Sequence, residues 1–423
     1  MAAANPATSA PTSGTRPMIL MGLMMAGASS VDTLTATLLP ITARHFTDNI
    51  AFIGWLVAMN RICGFLVQPY AAWKSDSYNG AGGRRRPFLM GGWPAVFLGV
   101  ALVGALPYVT STDHRHTLPI LAVLFAANLL MQAAVDLCYG CGDTLYGDTF
   151  AADELGRANG VRMIVTTICS VAMTSLFVPL AEVNEFWPYA GALLFVAVAF
   201  LIARFGLRER VPLRLPPSAP YHPFKPLLEL RDPHTRKVAL CGASILVVHA
   251  LTEMLHALFV TETLGLSLTA LGGSTAAALV MSFAMPYPVG WLVDRVGPRV
   301  VMIAGFVLVA LVEFAFVFWV NNLASLTIAL VIFKVAWVVV HLPMMPLLFH
   351  DTPVERRGAI FAAVQTTRAG AASVAIVVAG ELAAFTGSYR ICYLLAGIVC
   401  VVGLVGALRL TAPKRTAAVP AMA

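Results

Sequence analysis

The sequence is poor in charge. Asp, Glu, Lys and Arg make up 12% of its 423 residues, about half the share of a soluble protein of this size. It also has no Gly-x-x-x-x-Gly-Lys-Ser/Thr phosphate loop, and therefore no sign of ATP hydrolysis. A zinc-protease His-Glu-x-x-His, a nucleophile elbow and a dinucleotide fingerprint are missing as well. The glycines at Gly80–Gly83 sit in a polar hinge, without the strand–helix context that a nucleotide loop needs. Disulfides are not expected either. The seven cysteines (63, 138, 141, 169, 241, 392 and 400) are odd in number, and all fall inside apolar stretches. These absences argue against an enzyme and imply no cofactor.

What the chain has in abundance is apolar length: 59% hydrophobic residues and a mean hydropathy of +0.80. The apolar residues form blocks of roughly 20 or more, enough for a helix to cross a ~30 Å hydrocarbon core. Twelve spans are expected, at about 17–40, 51–73, 88–110, 119–146, 159–182, 186–206, 237–262, 268–292, 299–320, 323–349, 358–382 and 388–410. The first ends at Pro40 without a small-residue cleavage site and is too long for a signal-peptide core, so it is read as a retained span. Residues 1–16 and 411–423 read as polar tails. Residues 207–236 form one long hydrophilic connector, whose seven prolines block helix and favour extended chain. The expected organisation is two six-helix bundles, 17–206 and 237–410, joined by that linker.

The net charge of +7 reflects topology, and nucleic acid is not an expected partner. Of 28 Lys and Arg, 21 lie in the tails and in the loops after spans 2, 4, 6, 8 and 10, while three (Arg44, Arg115, Arg390) lie on the other side. That split is the positive-inside pattern and predicts both termini in the cytoplasm. The expected setting is the prokaryotic inner membrane or a membrane derived from it, with the lipid bilayer as partner and a monomer as the working unit.

Two hydrophilic hinges repeat between apolar blocks. The first is Ser75-Asp76, six residues, then Gly83-Arg84-Arg85-Arg86-Pro87-Phe88; the second runs from Gly290 through Asp294, Arg295 and Gly297 to Arg299. A second echo joins Asp148-Thr149 before Gly156-Arg157 to Asp351-Thr352 before Arg356-Arg357. Two echoes at matching positions are what a parallel six-plus-six repeat predicts.

On these motifs the chain resembles the major facilitator superfamily over nearly its whole length. Gly-x-x-x-Asp-Arg-x-Gly-x-Arg at 290–299 is similar to that superfamily's signature loop. The first hinge departs from the signature: Ser77 replaces the arginine after the aspartate, and four residues are inserted before the glycine. With Val67-Gln68-Pro69 before it, this hinge is similar to the sucrose-transporter branch of the glycoside–cation symporters. That branch carries an arginine five residues before the aspartate that ends span 4, where this chain has Asp143, which leaves substrate and coupling ion open. The resemblance implies an all-α membrane protein of twelve helices in two pseudo-symmetric bundles. It also implies a cytoplasmic latch in which Asp76 and Asp294 face Arg84, Arg85, Arg86, Arg157, Arg295, Arg356 and Arg357.

Ionisable groups inside a bilayer are expensive and mark a pathway or a partner. Twelve fall within the spans, and eight of them lie on spans 1, 4, 7 and 10: Asp32, Asp136, Asp143, His249, Glu253, His256, Lys334 and His341. The superfamily lines its central cavity with that quartet, so the resemblance implies that these eight face the transport path. Asp136/Asp143, His249/His256 and Lys334/His341 are each two helical turns apart, which predicts one polar stripe per helix. Glu253, between two histidines, is an expected proton site, with Asp32 and Asp136 as alternatives. Lys334 needs a carboxylate, for which Asp32 or Asp136 is the expected partner. Prolines 286, 288, 343 and 346 and Gly140/Gly142 are expected to break spans 8, 10 and 4.

The function these features predict is secondary active transport of a small solute, with a sugar or glycoside implied by the branch resemblance and H+ as the expected coupling ion. One alternative is a transition-metal or other cation carrier using Cys138, Cys141, His249, Glu253 and His256. Another is a proton-driven exporter of drugs or metabolites. A scaffold or sensor on a carrier fold would be expected to carry a large soluble extension.

Overall fold

A computed structural model describes residues 15–76, 78, 80, 83–111, 116–150, 155–206, 222, 224–349 and 357–410. All regular elements among them are helices. Eleven helices are long and apolar enough to cross a membrane: Thr15–Thr37, Ile50–Asp76, Arg86–Val109, Leu118–Tyr146, Arg157–Glu182, Phe186–Gly206, Pro233–Met254, Pro298–Phe318, Leu323–Leu348, Ile360–Thr386 and Arg390–Leu408. A twelfth, Leu268–Ala284 with Pro286–Val296, is bent by 44°. Numbered in chain order, with the bent pair as span 8, these are spans 1–12.

Local chemistry explains where the helices start and break. Asp232 caps span 7 by accepting a hydrogen bond from the Thr235 backbone N–H at 2.7 Å, and Asn322 with Ser325 forms a capping box at the head of span 10. Pro286 lacks the N–H that would continue the helix through Met285, so span 8 bends there as the sequence predicts. Gly140 and Gly142, however, break nothing, because the helix runs unbroken from Leu118 to Thr149. A Cβ on Gly140 would come within 2.4 Å of the Gln68 carbonyl oxygen, so this glycine permits close helix approach.

By its contacts the chain divides into two compact units, Met1–Thr35 with Leu66–Tyr221 and Ala36–Phe65 with His222–Ala423. Within the first, span 3 packs against spans 4 and 6; within the second, span 9 packs against spans 10 and 12. Large apolar side chains such as Leu98, Leu102 and Leu194 in the first unit, and Leu311, Ile398 and Val402 in the second, are exposed. In water such surfaces would cost about 25 cal/mol per Å²; facing lipid they cost nothing.

Candidate functional site

A polar cluster inside the spans lies in the second unit. Lys334 on span 10, a buried lysine, donates to Glu253 Oε1 on span 7 in a short contact and lies 3.3 Å from His249 Nε2. His249 Nδ1 lies 3.2 Å from Glu253 Oε2, but its alignment is too poor for a hydrogen bond. The imidazole of His249 packs 5.1 Å, centre to centre, from the Trp337 ring. Trp337 in turn stacks on His341 at 4.6 Å and 12°. His341 Nδ1 sits 3.4 Å from Arg368 Nη2 on span 11, whose Nη1 donates to Gln365 Oε1 at 2.7 Å. The result is one chain of contacts from Glu253 to Gln365 across spans 7, 10 and 11.

Lys334 therefore pairs with Glu253 within the second unit, a partner that the sequence does not single out. The cause lies in the register, since Lys334 and Glu253 face each other across the contact between spans 7 and 10. His256 is also redirected. The helix breaks at Leu255 (φ −118°, ψ 18°), so the seven-residue stripe from His249 does not continue. His256 is buried among Phe259, Phe316 and Tyr393 instead, with Nδ1 2.8 Å from the Tyr393 hydroxyl. Glu253 consequently faces one imidazole and one ammonium, where two imidazoles were expected.

In the first unit Asp32 accepts a hydrogen bond from the Tyr139 hydroxyl at 2.8 Å. Asp143 forms an ion pair with Arg162, and Asp136 is buried. The stripe on span 4 thus divides between a buried acid and an exposed, paired one. Cys138 and Cys141 are buried, Cys141 Sγ lying 3.8 Å from the Ala71 carbonyl oxygen. Among the described residues no group of three or more His, Cys, Asp or Glu is placed to hold a metal ion.

The two hinges share a backbone feature: Gly83 (φ 99°) and Gly297 (φ 93°) both take the left-handed region that favours glycine. Their arginines do two jobs. Arg85, 4% exposed, donates to Asp148 Oδ2 at 2.6 Å, Asp76 Oδ1 at 2.6 Å and Ser75 Oγ at 2.8 Å. Arg84 also donates to Asp148 Oδ2, at 2.8 Å. Asp76 and Asp148 both sit in the last turn of their helices, where the helix dipole is unfavourable to a carboxylate, so the two arginines supply the missing counter-charge. Burial works against the Arg85 charge, but the hydrogen bond to Asp148 and the charges of Asp148 and Asp76 outweigh it and raise its pKa.

Arg86 donates to the Ala203 and Arg204 carbonyl oxygens at the end of span 6. Its counterpart in the second unit is Arg299, which donates to the Ala407 and Leu408 carbonyl oxygens at the end of span 12. Each clamps free carbonyls at a helix C-terminus, so Arg86 holds a helix end. Asp294 is exposed, and among the described residues it has no ion pair; Arg295 lies 3.9 Å over the Trp291 ring. Arg157 is exposed, Arg356 lies outside the described residues, and the side chain of Arg357 is not described.

Several residues escaped the sequence reading. Asp148 is the common acceptor of the first hinge, and its place in the second echo was the available signal. Arg368 and Arg61 belonged to the charges inside the spans, but they lie on spans 11 and 2, outside the favoured quartet. Glu313, 0% exposed, accepts from Thr252 Oγ1 at 2.6 Å.

A separate network lies between the ends of spans. Arg44 Nε donates to Glu262 Oε1 at 2.8 Å, and Glu262 Oε2 accepts from the Tyr389 hydroxyl at 2.5 Å. Glu262 lies past the end of span 7, in the turn Phe259–Thr263. Partial burial would raise its pKa, but the hydrogen bonds from Arg44 and Tyr389 prevail and lower it. Burial and the bond to Glu262 push Tyr389 up to about 12. A depressed carboxylate stabilises the fold above its unfolded pKa of ~4.3, and that contribution disappears as pH falls through the lower folded value. Thermal unfolding in detergent should therefore lose more stability on acidification in the native chain than in Arg44→Gln. Equal pH slopes would contradict the assignment.

The repeated glycines, the matched arginine clamps and twelve spans converge on one fold. A model of the Major Facilitator Superfamily matches residues 18–376 and, separately, 238–423. The chain belongs to the Major Facilitator Superfamily. Its second match begins within span 7, where the second run of six spans starts. Among solved structures, a mutant of the nucleoside transporter NupG superposes with a TM-score of 0.71 at 12% identity, covering 92% of this chain and 99% of that one. At that identity the likeness establishes the fold alone. Among curated proteins no sequence matches. This superfamily member is a multi-pass membrane transporter.

Proposed function

We propose that the chain is a secondary active transporter that moves a small solute by alternating access, coupled to a proton or other cation gradient, with H+ as the coupling ion. The observation that carries this is the Glu253–Lys334 pair within spans 7 and 10, with His249 beside it. A carboxylate held by an ammonium inside the membrane can exchange its partner for a proton. Protonating Glu253 breaks the ion pair and frees Lys334, which is a chemical switch between two states. The gradient supplies ~2.3 kcal/mol per charge per 100 mV, enough to concentrate a solute roughly fifty-fold.

In this proposal 17–206 and 237–410 are the two bundles, both termini face the cytoplasm, and Asp76, Arg84, Arg85 and Asp148 form a cytoplasmic latch. Asp32, Asp136 and His341 remain candidates for the path. The first hinge makes sugars and glycosides the first solutes to test, and the NupG likeness adds nucleosides. The test is uptake into proteoliposomes from a panel of sugars, nucleosides, organic anions and divalent metals, with and without a pH gradient. The expected result is accumulation of one class that rises with the imposed gradient. Uptake of the transported class that ignores both pH and membrane potential would defeat the coupling.

A further inference from the structure

The Glu253–Lys334 pair does not balance the charge around it. Arg61, Lys334 and Arg368 all lie within the second unit, on spans 2, 10 and 11. Arg61 acts electrostatically on His249, Glu253 and Arg368, so its charge is felt by members of the contact chain described above. Among the described residues neither Arg61 nor Arg368 has a carboxylate within ion-pair distance; Lys334 has only Glu253. Counting the imidazoles as neutral, this cluster of the second unit sets three cations (Arg61, Lys334, Arg368) against one carboxylate (Glu253), an excess of two positive charges among its described residues. Such an excess is costly unless an anion answers it.

Hydrogen-bond capacity points the same way. Arg368 is 5% exposed, and although Nη1 and Nη2 have neighbours, its buried Nε has none. The indole Nε1 of Trp337, two contacts along the chain, is likewise buried without an acceptor. The cluster is therefore rich in unmet donors and short of acceptors. A neutral polyol brings donors and acceptors together and leaves the two charges unanswered. An oxyanion brings acceptors and negative charge at once, in a geometry that the planar guanidinium fork matches.

We propose that Arg61, Lys334, Arg368 and Trp337 form the binding site for an oxyanion group, carboxylate or phosphate ester, on the transported solute. This deepens the carrier proposal and rests on it. It also gives the proton a purpose: with Glu253 ionised, that carboxylate and the solute compete for Lys334, and protonating Glu253 surrenders the ammonium to the solute. Proton and organic anion then travel together.

The test is equilibrium binding to the purified full chain in detergent, read by calorimetry. Glucose, glucuronate and glucose 6-phosphate differ chiefly at one position, neutral, carboxylate or phosphate ester. Citrate and inorganic phosphate extend the set. At least one anion is expected to bind about tenfold or more tightly than glucose, and the preferred arm identifies carboxylate or phosphate. Arg368→Gln should weaken that anion about tenfold or more while Arg368→Lys recovers part of the loss. Arg61→Gln, at a half-buried position, should weaken it as well and guards against misfolding at Arg368. Equal binding of glucose, no binding by any of the anions, or unchanged anion affinity in both glutamine variants would overturn the proposal. Transport is scored separately. Anion binding without gradient-driven uptake in proteoliposomes would leave this site standing and remove the carrier proposal. Uptake of a neutral solute that the anions do not inhibit would do the reverse.

Discussion

Glu253→Gln is expected to reduce pH-driven accumulation at least about tenfold, to the level seen without a gradient, while exchange of the same solute across the membrane persists. Glutamine keeps the size and a hydrogen-bonding carbonyl but cannot cycle a proton. It also leaves Lys334, whose side chain is 10% exposed, without its counter-ion. Breaking a buried pair from one side typically costs about 3–5 kcal/mol, and the one-third exposure of Glu253 reduces that to roughly 2–3. Stability and coupling must therefore be separated. Glu253→Gln combined with Lys334→Met removes both charges and should recover most of the lost thermal stability without recovering coupling. Asp136→Asn serves as the comparison at the alternative acid. Full pH-driven uptake in Glu253→Gln would remove Glu253 from the proton path.

Arg85→Gln should be the most damaging change in the first hinge. One guanidinium there meets Ser75, Asp76 and Asp148 at 2.6–2.8 Å, and it ties the end of span 2 to the end of span 4. Its loss leaves two carboxylates at two helix C-termini with, among the described residues, Arg84 to answer them. Since Asp76 and Asp148 are partly exposed, water softens the penalty, and a loss of about 2–4 kcal/mol is expected. Uptake should fall at least about tenfold if the cluster latches the cytoplasmic side. Adding Asp148→Asn should cost much less than its single-mutant effect, because the pair is already broken. A melting temperature and an uptake rate equal to the native chain's would show that the cluster only orients the loop. Arg86→Gln should damage thermal stability more than coupling, as its bonds end on carbonyls of span 6.

The twelve spans were legible to within a few residues at most ends, because about 20 apolar residues in succession have one economical use. The bend in span 8 was legible from Pro286, and the repeat from the two hinges. Gly140 and Gly142 were misread, because the same residue that loosens a helix also permits close packing, and composition cannot separate the two. His256 was misread for a related reason. Helical periodicity carries a stripe only while the helix continues, and the break at Leu255 holds no proline or glycine to announce it. Arg61 and Arg368 were visible as charges, but not the electrostatic influence of one on the other.

Fold class, span positions and internal duplication thus follow from one-dimensional pattern, since hydrophobic length and repeated motifs are properties of the chain read in order. Which carboxylate answers Lys334, which arginine clamps a helix end, and which buried donors are left without an acceptor are properties of helix register and rotation. Those are set when spans from distant parts of the sequence pack together. The chain's scarce charges announced that something must answer them, and only the tertiary structure decided which partners do.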